Sequence, residues 1–217
     1  MQTNMQTNMQ STQTNEPVVL LAKGADATSD YTTKLSRAIV KSFNDFGAAE
    51  VQAIGPPAVS NSVKAFIKTK VETSSAENGT EIVCQFAYQK PQLGENMRTA
   101  IRARIFAVPS SVVATSAKDA IVLKAKGATA SPEDVMRLAQ AVVKSLSECS
   151  YAEVQAIGPA SVSNTVKSFI KAKGIISEYV NGIDLVCQFS YQKPEVDGHI
   201  VTAIRAAIFA VPSKYVG

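Results

Sequence analysis

Glu50-Val51-Gln52-Ala53-Ile54-Gly55-Pro56 recurs 103 residues further on as Glu153-Val154-Gln155-Ala156-Ile157-Gly158-Pro159. Working outward from this block, Val18 to Ser110 aligns with Ile121 to Ser213 without a gap, and roughly half the positions are identical. Val83-Cys84-Gln85-Phe86 and Tyr88-Gln89-Lys90-Pro91 return as Val186-Cys187-Gln188-Phe189 and Tyr191-Gln192-Lys193-Pro194. Thr99-Ala100-Ile101-Arg102-Ala103 returns as Thr202-Ala203-Ile204-Arg205-Ala206. Solenoid repeats run to about 20–50 residues. A unit of about 93 residues is instead large enough for a domain with its own core. The expected organisation is a polar tail (1–16), a first copy (17–110), a linker (111–119) and a second copy (120–217).

Composition agrees with two folded units. Of 217 residues, 46% are hydrophobic and 18% charged, a globular rather than a disordered balance. Small domains are marginal alone, so the copies are expected to stabilise each other. The net charge of +4 is mildly basic and admits a polyanionic partner without demanding one. Cys84 and Cys187 occupy equivalent strand positions and Cys149 lies in a helix pattern. Three cysteines without paired spacing argue against a disulfide framework and for a reducing compartment, cytoplasmic or nuclear. No apolar run is long enough to span a bilayer, so no membrane partner is expected. The beginning of the chain lacks the charged and apolar regions of a secretory signal. Met1 to Asn15 is built from Met-Gln-Thr-Asn units, and such polar, low-complexity sequence is expected to be disordered. Its Gln/Asn content also admits self-association, and a larger protein assembly is the partner a scaffold role would imply.

Within one copy the spacing predicts β-α-β-α-β-β. Val18 to Ala22 reads as a strand. Leu35, Ala38, Ile39, Phe43 and Phe46 follow the helical period across Ser29 to Phe46. In the second copy Ser131-Pro132-Glu133-Asp134 supplies an N-cap, a first-turn proline and two acids at the positive dipole end. Glu50 to Ile54 alternates as a half-buried strand, with Glu50 and Glu153 on its solvent side. Gly55-Pro56-Pro57 then breaks the chain. Ala58 to Lys70 is a second helix with Val59, Val63, Phe66 and Ile67 on its inner stripe. Asn78-Gly79 is a turn. Ile82 to Lys90 and Arg98 to Val108 are longer strands joined by a hairpin. This is an α/β (α+β) class, each copy a mixed four-stranded sheet with two helices on one face.

Gly47-Ala48-Ala49-Glu50-Val51-Gln52-Ala53-Ile54-Gly55, Val59-Ser60-Asn61, Val63-Lys64-Ala65 and Arg98-Thr99-Ala100-Ile101-Arg102 resemble the stage V sporulation protein S family. The second copy resembles it through Ala152 to Gly158 and Val166-Lys167. The resemblance implies an Alba-like β-α-β-α-β-β domain, a nucleic-acid-binding module that is usually dimeric. It also implies that basic residues of the strand-to-helix junction and of the hairpin contact nucleic acid. Those positions hold Lys23, Lys90 and Arg98 in the first copy and Lys124, Lys126 and Lys193 in the second. Arg98 becomes Val201, and the second hairpin gains Glu195 and Asp197, so the copies are expected to bind unequally.

The residues themselves add two candidate surfaces. Asn61, Lys64 and Lys68 share one stripe of the second helix, as do Asn164, Lys167 and Lys171, a stripe that is either a solvated basic face or a phosphate contact. On the last strand, period two puts Arg102 and Arg104 on one face; the second copy keeps Arg205 but replaces Arg104 with Ala207. With Gln85 and Gln89 these arginines form a polar sheet face for nucleic acid or for the other domain. Cys84, Phe86 and Tyr88 are expected in the core. The lone His199 sits in the second hairpin without the partners of a metal site or a triad. No catalytic residue, metal or cofactor is expected. The expected function is non-enzymatic, phosphate-dominated binding of DNA or RNA with low sequence specificity. The alternative is a scaffold module that keeps the fold without nucleic acid. The two copies are further expected to form an intrachain pseudo-dimer.

Overall fold

A computed structural model describes residues 16–73, 79–90, 92, 93, 96, 97, 99–114 and 121–216. Most of the polar tail, Asn78, Arg98 and the linker from 115 to 119 lie outside these residues. The first copy runs β1 (Val19–Ala22), α1 (Tyr31–Phe46), β2 (Ala48–Ala53), α2 (Pro56–Thr73) and β3 (Thr80–Gln89). A two-residue ribbon, β4 (Gln92–Leu93) and β5 (Asn96–Met97), leads into β6 (Ala100–Pro109). The second copy repeats the order: β7 (Val122–Lys124), α3 (Pro132–Cys149), β8 (Tyr151–Ala156), α4 (Pro159–Tyr179), β9 (Ile183–Gln192), β10 (Glu195–Val196), β11 (His199–Ile200) and β12 (Ala203–Pro212). Both copies therefore hold the Alba-like β-α-β-α-β-β order, and the α+β class stands.

Local chemistry explains the boundaries. Ser131 Oγ accepts from the Asp134 N–H at 3.2 Å, and the Asp134 carboxylate accepts from the Ser131 N–H at 3.1 Å. This capping box starts α3 with Pro132 in its first turn. Helix α1 ends on Gly47 at φ 72°, whose N–H donates to Phe43 O at 2.7 Å. The equivalent end of α3 is Ser150 at φ 57°, a left-handed conformation that a Cβ makes costly. Ser150→Gly is therefore expected to stabilise the chain by about 1 kcal/mol. A urea midpoint that does not rise would contradict this.

The two copies share one eight-stranded sheet in the order β1-β2-β6-β3-β9-β12-β8-β7. The order is a palindrome about the β3–β9 junction. β1 pairs parallel to β2, and β7 to β8; every other pairing in this sheet is antiparallel. Only Cys84 and Cys187 pair across the junction, with their sulfurs 3.5 Å apart and both side chains buried. Burial, with Cys84 adding to it, pushes the Cys187 thiol well above its ordinary range. These cysteines pack as thiols and Cys149 is exposed; all three are free.

Side chains replace the missing ladder on either side of that single pair. Gln85 Nε2 donates to Leu185 O at 2.8 Å and to Asp184 Oδ1 at 3.2 Å. Gln188 Nε2 reciprocates to Ile82 O and Glu81 Oε2, both at 3.0 Å. Lys70 reaches Gln188 Oε1 at 2.8 Å and Glu81 at 3.4 Å, and Lys173 reaches Asp184 at 3.1 Å. Burial pushes the Asp184 carboxyl up, but hydrogen bonds from Lys173, Ser213 and Gln85, with the Lys173 charge, bring it below its ordinary value. Gln85 is thus buried and committed to the other copy, not to a polar surface.

One hydrophobic core underlies all four helices. It joins Leu35, Ile39, Val63, Phe66 and Phe86 to Val142, Val166, Phe169, Phe189 and Ile208. Four rings interlock alternately between copies: Phe66 on Phe189, Phe189 on Phe86, and Phe86 on Phe169, edge to face at 5.9–6.1 Å. The expected inner stripe of α2 is fully buried. So are Ser60, Ser62, Ser161, Ser163, Thr165 and Ser168 of α2 and α4, two helices that pack on each other. Ser62, Thr165 and Ser168 turn their hydroxyls back to helix carbonyls at 2.8–3.0 Å. A second apolar cluster, including Val83, Phe106, Val186 and Phe209, lies on the other sheet face. Val112, Val113 and Ala114, at the start of the expected linker, pack against it instead of spanning open space.

Candidate nucleic-acid interface

The strand-to-helix junction is built by an asparagine. Asn61 Nδ2 donates to Lys23 O and Gly24 O at 3.1 and 3.2 Å; Asn164 does the same for Lys126 O and Gly127 O at 3.0 Å each. These amides hold the loop, so the loop rather than the asparagine faces solvent. Lys23 is exposed, its ammonium 6.0 Å from the Tyr31 ring centroid. Lys126 is instead paired with Asp134 at 2.9 Å. The Lys126 hydrogen bond and the Ser131 N–H hold the Asp134 carboxyl below its usual range. Lys124, exposed on an edge strand, lines the same cavity as Lys126 and Asp134.

The sheet arginines are internally committed. Arg102 pairs with Glu50 at 3.2 Å, and Arg205 with Glu153 at 2.6 Å and Gln155 Oε1 at 3.2 Å. Glu50 and Glu153 are half-buried ion-pair partners rather than solvated strand residues. Arg104 donates to Val216 O at 2.9 Å, with its guanidinium 5.7 Å from the Phe106 ring centroid. The first copy's extra arginine thus holds the second copy's end. Gln89 is half-buried at the end of β3. The Nε atoms of Arg102 and Arg205 are buried without a hydrogen-bond partner among the described residues.

The helix lysines divide. Lys68 donates to Thr33 Oγ1 at 2.6 Å. In the second copy the position equivalent to Thr33 is Met136, which offers Lys171 no such acceptor. Lys64, Lys167 and Lys171 make no ion pair or hydrogen bond with the described residues, although each is half-buried. Lys90 and Lys193 are exposed where the ribbons begin. The second ribbon turns through Asp197 and Gly198 at φ 50° and 77°, as a two-residue hairpin loop requires, and His199 is exposed beyond it.

Two tyrosines complete the arrangement, and sequence reasoning placed Tyr88 in the core. Tyr88 and Tyr191 do lie on the face of Phe86 and Phe189, but they are 42% and 44% exposed. Each meets the other copy. Tyr88 lines an open cavity of about 300 Å³ with Lys167, Lys171, Asn164 and the start of α3. Tyr191 lines one of about 170 Å³ with Lys64 and Ser60 of α2 and the Gly158-Pro159 start of α4. Gly158 and its counterpart Gly55 stand at φ 83° and 82°, a turn that favours glycine. The signal that marks these tyrosines in the sequence is their retention in both copies, just beyond the last buried phenylalanine.

Among the described residues no three His, Cys, Asp or Glu side chains are placed to hold a metal ion, and no helix is long and apolar enough to cross a membrane. The family model described as Stage V sporulation protein S (SpoVS) matches residues 27–108 and again 119–211. No curated protein matches the chain. The two matches cover most of the sequence, and the chain belongs to the SpoVS family as a tandem duplication.

Proposed function

We propose, on the premise of that family membership, that this chain is a non-enzymatic protein that binds DNA or RNA through phosphate contacts with little sequence preference. The observation that carries the reading is the set Lys64, Lys167 and Lys171, half-buried cations that the described fold leaves unpaired beside the seam between copies. Elsewhere the fold pairs its lysines readily, as at Lys34–Asp30, Lys41–Asp45, Lys144–Glu148 and Lys173–Asp184. Exposed Lys23, Lys90, Lys124 and Lys193 extend the charge beyond the helices. An intrachain pseudo-dimer brings both sets into one molecule.

Phosphate binding releases counterions, so affinity is expected to fall steeply with salt. A grip of four lysines loses roughly a hundredfold between about 50 and 200 mM salt. Fluorescence anisotropy with labelled DNA and RNA measures this. Absence of binding to either at about 50 mM salt would overturn the reading.

The scaffold alternative has its own observation. Val143, Leu146, Ile176, Tyr179 and Ile183 line an apolar groove in the second copy, with Tyr179 79% exposed. Native material that purifies within a protein assembly, with an absorbance ratio free of nucleic acid, would favour that alternative.

A further inference from the structure

We propose that the nucleic acid is held as a single strand, with an unpaired base stacked on Tyr88 beside Lys167 and Lys171 and another on Tyr191 beside Lys64. This rests on the reading above and names its substrate class.

Three observations carry it. Phe86 and Phe189 are 3% and 4% exposed, yet two residues further along the same strand face Tyr88 and Tyr191 leave the core. Neither tyrosine hydroxyl has a hydrogen-bond partner among the described residues, whereas Tyr31 donates to Leu21 O at 2.9 Å and Tyr151 to Glu153 at 3.0 Å. Burial pushes both hydroxyls above their ordinary value. Finally, each ring shares its cavity with unpaired lysines of the opposite copy. A half-buried ring with an open face and an adjacent free ammonium suits one nucleotide, the base on the ring and the phosphate on the lysine. Every base has a π-face, so such a site tolerates sequence. A duplex keeps its bases stacked on one another, whereas single-stranded segments splay them out for aromatic side chains. Each site needs both copies, which gives the duplication a direct role in binding.

The test uses the full chain and three probes: oligo-dT and oligo-U of about twenty nucleotides, above the usual single-strand site sizes, and a duplex of similar length. The variants are Y88L/Y191L, the aromatic control Y88F/Y191F, and each leucine variant singly. The expected result is a loss of roughly tenfold or more on single strands for Y88L/Y191L, with the phenylalanine pair near wild type and the duplex affinity little changed. Comparison of oligo-dT with oligo-U distinguishes DNA from RNA as the source of the strand. The chain has six tyrosines and no tryptophan, so tyrosine emission of the unaltered protein gives a second readout. Single strands are expected to quench it and duplex is not. Wild-type affinity of Y88L/Y191L, an equal loss on duplex, or unquenched emission with bound single strand would each overturn the proposal while leaving phosphate binding intact. Binding of none of the three probes would overturn both.

Discussion

Phe189→Ala is expected to cost about 3–5 kcal/mol and to unfold both copies in one transition. Phe189 belongs to the second copy, but its ring lies against Phe66 and Phe86 of the first at 6.1 and 6.0 Å. Truncation leaves a cavity lined from both sides. The residues around it sit in two helices and two central strands and have little freedom to collapse. Two edge-to-face contacts, each worth about 0.5–1.5 kcal/mol beyond the area buried, disappear as well. Small proteins are stable by about 5–15 kcal/mol, so this single ring is a large fraction of the whole. Urea unfolding followed by far-ultraviolet circular dichroism and by tyrosine emission measures the effect. Coincident curves that shift together are expected, because Gln85 and Gln188 tie the strands where the phenylalanines tie the core. A biphasic curve in which only half the signal moves would show two independent domains.

The shared core also explains which features were legible in the sequence. Helical and strand periods located every main element, because they depend on residues near one another along the chain. The buried stripe Val59, Val63, Phe66 and Ile67 is a case in point. Period two also assigned Gln85, Arg102 and Tyr88 to the correct sheet faces. It says nothing of what lies across those faces. In a single copy β3 is an edge strand, and Gln85 there faces water. Pairing β3 with β9 turns the edge into the middle of an eight-stranded sheet, and the amide becomes a substitute for ladder hydrogen bonds. Arg104 and Ala207 differ for a similar long-range reason: Arg104 meets Val216 O, 112 residues away, which no local pattern encodes. Tyr88 follows Phe86 on the apolar side, but the filled core ends before it, at an open cavity it shares with the start of α3 and with Lys167 and Lys171 of α4. Where a layer ends is a property of packing, so its exposure escaped the alternating pattern.

The replacement Lys64→Glu/Lys167→Glu/Lys171→Glu is expected to weaken nucleic-acid binding by more than about a hundredfold at low salt and to flatten the salt slope by about one unit per lost lysine contact. Net charge alone also moves affinity, so the comparison is with Lys34→Glu/Lys41→Glu/Lys144→Glu, which carries the same charge change. Those three lysines sit on α1 and α3, in surface pairs with Asp30, Asp45 and Glu148. Exposed i,i+4 pairs are worth only a few tenths of a kcal/mol each, about 0.3–0.5, so the control stays folded. A long-range field, screened beyond about 8–10 Å at working salt, treats the two triple variants alike. Local phosphate contacts do not. Equal losses in both would mean that diffuse charge, not the lysines beside the seam, holds the polyanion. A large loss confined to the first, with its flatter slope, places the contacts where Lys64 faces the second copy and Lys167 and Lys171 face the first. Binding would then depend on the two copies sharing one sheet, because neither copy alone brings a lysine and its neighbouring tyrosine together.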